Sequence, residues 1–202
     1  MEMRLLKPWD RISPELDTEE VGRLKDRNEF ESELEWTVYQ AKVFYEGFGD
    51  PKPAVDILEM GLKKYPRNFD LMFCLAECLS RNSSTLESAL EYCDRGLDLN
   101  NDSDYGHTIK ARIHLTKKDP IKAYISAMYA LKINSRNFEA GVYLGVTGFA
   151  IAATEGNVEE MESSVKNLKT TLSLNPTSEN LVRIIAENEK YLHQARGGKE
   201  NE

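Results

Sequence analysis

The chain is poor in most residue types on which chemistry depends. It holds 3 histidines and 3 cysteines in 202 residues. His107, His114 and His193 are too dispersed for a metal set, and Cys74 and Cys78, one helical turn apart, would need two further ligands. An odd number of cysteines cannot all pair, so free buried thiols serving as small core filler are expected rather than disulfides. No glycine-rich phosphate loop occurs, and no spacing marks a nucleophile, its base and an orienting group. Carboxylates are plentiful but fall on helix faces that read as solvated. The expectation is a protein that is not an enzyme, with no catalytic residues, cofactor, metal or small-molecule substrate.

Basic residues are also short. There are 26 Lys and Arg against 34 Asp and Glu, a formal charge of -8. A whole-protein nucleic-acid binder would be basic, so no nucleic-acid partner is expected. Long hydrophobic runs are missing too. The longest mostly apolar stretch, residues 140–153 (AGVYLGVTGFAIAA), is too short to span a bilayer and reads as a buried helix. Residues 1–10 carry Arg4, Lys7 and Asp10 and no apolar core segment, which argues against a secretory signal and for a cytoplasmic protein. With only 7 Pro and 12 Gly, no low-complexity tract indicates disorder over most of the length.

What is present is self-similarity. Four segments close alike: AVDILEMGLKKYPRN, ALEYCDRGLDLNNDS, AYISAMYALKINSRN and SVKNLKTTLSLNPTS. Each is an amphipathic helix with apolar residues at three- and four-residue spacing. Small residues (Ala54, Ala89, Ala123) open three of them, and another (Gly61, Gly96, Ala130) follows seven later. Each then meets a breaker: Pro66, Asn100-Asn101, Asn134-Ser135 or Asn175-Pro176. Pro66, Asn101 and Ser135 lie 35 and 34 residues apart, and Pro176 comes 41 later. A partner helix precedes each segment, at about 33–47, 69–81, 104–117 and 138–155. The last is about two turns longer than the others, or its turn near Gly156 carries an insertion. Gly141, Gly145 and Gly148 read as close-packing positions on that helix.

A period near 34 residues of paired helices resembles the tetratricopeptide repeat, and the resemblance covers residues 33–178. Leu75-Ala76 and Leu144-Gly145 stand where that family has its Leu-Gly pair. The implied fold is all-α: a right-handed superhelical solenoid of antiparallel helix pairs, with repeats at about 33–68, 69–103, 104–137 and 138–178. A capping helix over 179–196 would start at the N-cap Ser178 and cover the last apolar face. Residues 1–32 would be an ordered strap or a mobile tail, with Leu5, Leu6 and Trp9 as anchors, and 197–202 would fray.

The family binds proteins on surfaces built from the first helices. That places Tyr39 and Phe44, then Phe73 and Glu77, then Tyr105 and Arg112, then Val142, Val146 and Phe149 on the expected lining. Thr37, Ala41, Phe73 and Glu77 do not form the Lys/Asn/Arg clamp by which some relatives hold a chaperone's terminal carboxylate. Charge points to a second region. Residues 104–137 hold 7 basic and 2 acidic residues, a basic island in an acidic protein, with Lys110, Arg112, Lys117, Lys118 and Lys122 beside His107 and His114. Such a patch suits an acidic protein segment; the bland alternative is a solvated face balancing its neighbours.

Within the family, residues 35–66 (EWTVYQAKVFYEGFGDPKPAVDILEMGLKKYP) and 130–154 (ALKINSRNFEAGVYLGVTGFAIAAT) resemble the opening and closing repeats of subunit 2 of the endoplasmic reticulum membrane protein complex. Trp36, Tyr39, Pro66, Leu131, Asn134, Arg136 and Asn137 carry the likeness, with fewer repeats between them than that family shows. It implies a soluble scaffold subunit on the cytosolic face of the endoplasmic reticulum, holding cytosolic segments of membrane-embedded partners of an insertase. The alternatives are a transient peptide-binding adaptor or assembly chaperone, and an auxiliary subunit of an enzyme. The prenyltransferase version of the last expects a Trp in each repeat, whereas this chain has only Trp9 and Trp36.

Overall fold

A computed structural model describes residues 27–47 and 51–199. The expectations for residues 1–26 and 200–202, including the anchors Leu5, Leu6 and Trp9, lie outside the described residues. Among the described residues there are helices and no strands. Helix α1 (Glu33–Lys42) runs on into a π-helical turn, Val43–Gly47. It is followed by α2 (Pro51–Lys64), α3 (Phe69–Leu79), α4 (Leu86–Leu99), α5 (Asp104–Thr116), α6 (Pro120–Ile133), α7 (Phe138–Glu155), α8 (Val158–Leu172) and α9 (Glu179–Lys199). The first helices start at Glu33, Phe69, Asp104 and Phe138, where the repeat spacing places them.

Local chemistry explains those starts. A helix leaves its first backbone N–H groups without partners, and a side-chain oxygen just before it can accept from one of them. Ser32, Asn68, Asp119, Asn137 and Asn157 all do so, accepting from Glu35, Leu71, Lys122, Ala140 and Glu160 at 2.9–3.2 Å. Ser178 accepts more weakly from Leu181, at 3.4 Å. Asn68 after Pro66, Asn137 after Asn134-Ser135 and Ser178 after Asn175-Pro176 thus restart the chain as the next helix.

The described residues divide into two compact units, one within residues 14–109 and the other within residues 110–202. In the first, successive helices from α1 to α4 pack side by side. Ala41, Ala54, Leu58, Leu71, Leu75 and Cys78 form its core. Phe73, fully buried, is held between two glycines. A Cβ on Gly96 would come within 2.5 Å of its ring, and one on Gly106 within 2.6 Å, so only glycine lets the helices approach this closely around a phenylalanine. The Cys93 thiol donates to the Gly106 carbonyl at 3.3 Å. Cys74, Cys78 and Cys93 are all free and buried.

In the second unit α6, α7, α8 and α9 pack in succession. Gly141, Gly145 and Gly148 form a small-residue stripe, and a Cβ there would meet Thr171 at 2.6 Å, Leu168 at 2.5 Å and Ser164 at 2.9 Å. Val142, Phe149, Leu168, Leu181 and Leu192 share one core. Helix α9 thereby covers the apolar side of α8, with Arg196 paired to Glu162 at 2.5 Å and Lys169 to Glu189 at 2.6 Å.

Two sequence expectations are sharpened. Helix α7 has 18 residues against 11 in α3 and 13 in α5. The added length therefore lies in the helix, not in an inserted turn. It stops at Gly156, whose φ of 66° ends the helix in the left-handed region. Residues 197–199, expected to fray, belong to α9.

Candidate protein-binding groove

The first helices of the N-terminal unit share one groove of about 470 Å³. Helix α1 contributes Leu34, Glu35, Val38, Tyr39 and Lys42, α3 contributes Asp70 and Cys74, and α5 contributes Tyr105. The spacing follows from helix geometry: positions 35, 38, 39 and 42 fall on one face of α1, and 70 and 74 on one face of α3. The floor is firm. Tyr39 stacks in an aromatic cluster with Phe30 (centroids 4.9 Å apart) and Trp36 (5.8 Å). Tyr105 meets the edge of Phe73 at 6.2 Å and donates its hydroxyl to the Glu77 carboxylate.

The groove carries charges of both signs. Lys42 is exposed at its wall. Desolvation raises the Asp70 carboxyl above its ordinary value, and the Lys42 charge pulls it back. Burial, reinforced by the Glu77 charge, pushes the Cys74 thiol up to about 12, so this sulfur is a neutral apolar surface at physiological pH and not a nucleophile. Burial and the Glu77 charge also hold the Tyr105 phenol well above its usual range. Among the described residues, no group of three or more His, Cys, Asp or Glu is placed to hold a metal ion. No helix there is long and apolar enough to cross a membrane.

Of the expected lining residues, Tyr39 and Tyr105 stand in the groove, and Glu77 is tied to it through Tyr105. Phe73 is a correction. It points into the core against Gly96 and Gly106, and Cys74, the next residue, takes the groove position. Phe44 packs partly buried against the core of the same unit. Val142, Val146 and Phe149 are core side chains at 0–7% exposure. They cannot line a surface, because α7 has no exposed residue before Thr154 and a helix apolar on all sides is enclosed on all sides.

The expected basic patch changes as well. Arg112, His107 and His114 are buried, with the His107 Nε2 3.0 Å from the Asn101 carbonyl, and Lys110 is half-buried. The exposed cations of this region are Lys118, Lys122, Lys132 and Arg136. Sequence reasoning passed over Leu34, Val38, Lys42 and Asp70. The available signal was the i, i+4 register set by Tyr39 and Glu35.

Known proteins share this fold. The chain is similar to TTC0263, a thermophilic TPR protein of Thermus thermophilus, with a TM-score of 0.64 at 18% identity over 80% of this chain and 84% of that one. It is similar to MamA, with a TM-score of 0.56 at 16% identity over 80% and 87%. It also matches a part, 34%, of yeast Tom70, with a TM-score of 0.60 at 15% identity over 83% of this chain. No protein-family model and no curated protein matches the chain in sequence. The fold is therefore of the tetratricopeptide type, an all-α array of helix pairs closed by a C-terminal helix.

Proposed function

We propose that this protein is a scaffold that holds other proteins, and that a partner segment lies in the groove of α1, α3 and α5. The observation that carries this reading is that three successive first helices turn Val38 and Tyr39, Cys74, and Tyr105 toward one groove, with Lys42 and Asp70 at its wall. Apolar and aromatic surface with a few placed charges suits a peptide segment that is partly apolar and carries at least one charge. The similarity in fold to tetratricopeptide proteins supports it. The finer reading, a subunit of the endoplasmic reticulum membrane protein complex, rests on the resemblance of residues 35–66 and 130–154 to its subunit 2. Under it the occupant is a cytosolic segment of a membrane-embedded partner.

Purification of the native protein in detergent, followed by mass spectrometry, tests both levels. Stoichiometric membrane-protein partners are expected, and they should be lost in Tyr39→Ala and Lys42→Glu. Recovery only as a free monomer would refute the complex-subunit reading. Retention of every partner in both variants would refute the groove.

A further inference from the structure

Helix α6 keeps one face buried and leaves the other about half exposed. Ala123, Ala127 and Ala130 are sealed in the core. On the opposite side Ile121, Ile125, Met128, Tyr129 and Ile133 are 41–61% exposed. Five of the nine large apolar residues exposed in the described chain stand on this one helix. They recur at helical spacing: 121, 125 and 128 form one line, and 125, 129 and 133 run beside it. The open surface is roughly 500 Å², the size of the largest patch on a typical monomer, which is often functional.

Charge identifies the partner class. The sequence of α6, PIKAYISAMYALKI, has two lysines and no acid. Lys132 continues the line of Ile121, Ile125 and Met128, and Lys122 borders it. Lys118 and Arg136 flank the two ends and are exposed. The neighbouring carboxylate of Asp119 caps α6 and pairs with Lys122 at 3.3 Å. We infer that this face docks an acidic amphipathic helix of another protein, its apolar stripe on Ile125 and Met128 and its carboxylates toward Lys122 and Lys132.

A second copy of this chain fits less well. A two-fold pairing would set lysine rows against each other, and the patch is smaller than the roughly 800 Å² per partner of a stable interface. An anionic bilayer would meet a chain of net charge -8. This surface shares no residue with the groove and does not depend on it.

The test uses the full chain and a labelled helical peptide of the length of α6, with Leu at three- and four-residue spacing and Glu along both borders, read by fluorescence anisotropy. Wild-type protein should bind it. Binding should fall about tenfold or more in Ile125→Glu and in Met128→Glu, and weaken with added salt and in Lys132→Glu. Val182→Glu puts the same charge on an exposed apolar residue of α9 and should leave binding unchanged, as should Tyr39→Ala. Absence of binding, equal binding of a peptide with Lys in place of Glu, or equal loss in Val182→Glu would overturn the proposal. So would a dimer in sedimentation equilibrium that Ile125→Glu dissociates, or co-sedimentation with phosphatidylserine vesicles lost in the same variant.

Discussion

Gly106→Ala isolates the packing logic of the N-terminal unit. On an open helix surface, alanine for glycine adds about 0.5–1 kcal/mol of stability by restricting the unfolded chain. Here the added Cβ would sit 2.6 and 2.7 Å from two Phe73 ring carbons and 2.9 Å from the Leu97 Cδ2. Ordinary carbon contacts lie at about 3.5–4.0 Å, so the ring must yield by about 1 Å. Phe73 cannot withdraw toward α4, where a Cβ on Gly96 would already be 2.5 Å from the ring. Overpacking of this kind costs about 1–3 kcal/mol, which outweighs the helix gain and leaves a net loss of about 1–2 kcal/mol. Urea unfolding followed by far-ultraviolet circular dichroism reads it. Phe73→Leu in the same chain should relieve the overlap, so the double variant should lose at least about 1 kcal/mol less than the sum of the singles. Gly197→Ala, with no atom within 4 Å of its would-be Cβ, should be neutral or slightly stabilising. A Gly106→Ala protein as stable as wild type, or a strictly additive double variant, would refute the argument.

Other perturbations follow from single features. Gly156→Ala meets no neighbour within 4 Å but forces a side chain to φ 66°; it should cost about 1 kcal/mol, with Gly156→Asn milder, both read as shifts in thermal midpoint. Asn137→Ala removes the acceptor for the Ala140 N–H at 3.0 Å and should cost about 1 kcal/mol in urea unfolding. The Cys74 thiol ionises near 9.0 unperturbed but near 12 when folded. It therefore ionises first in the unfolded chain, and stability is lost as pH rises above about 9, by about 1.4 kcal/mol per unit until about 12. Comparing urea midpoints near pH 8 and pH 10, Cys74→Ala should show a shallower fall than wild type; parallel falls would refute the burial argument.

How much was legible in the sequence differs by level. Helix positions were, because Pro66, Asn101, Ser135 and Pro176 punctuate the chain at a near-constant period and the first helices begin at Glu33, Phe69, Asp104 and Phe138. The tight approach of α7 to α8 was legible in the small residues Gly141, Gly145 and Gly148. Side-chain direction was less so. Phe73 and Cys74 are neighbours on α3, and the choice of which faces the groove is made by Gly96 and Gly106, which come from elsewhere in the chain and open a space that only the ring fills. On α7 the apolar residues run all round the helix, so periodicity singles out no lining face, and Val142, Val146 and Phe149 went to the core.

The basic region shows why composition alone misplaces a surface. Counted along the sequence, residues 104–137 form one cationic block, with Arg112 and two histidines on α5 at its centre. Helix α5 is a first helix, and its Arg112, His107 and His114 are buried. Helix α6 is a second helix, and the residues it buries form a stripe of small side chains. Ala123, Ala127 and Ala130 supply that stripe, leaving the remaining face free to be polar. It holds isoleucine, methionine and tyrosine instead, beside Lys122 and Lys132. These side chains are 41–61% exposed, and apolar surface left open to that degree carries an aggregation hazard that lysine or glutamate would reduce. Their place on the open side of the helix, next to cations with few acids of their own, is explained by a partner and not by the core.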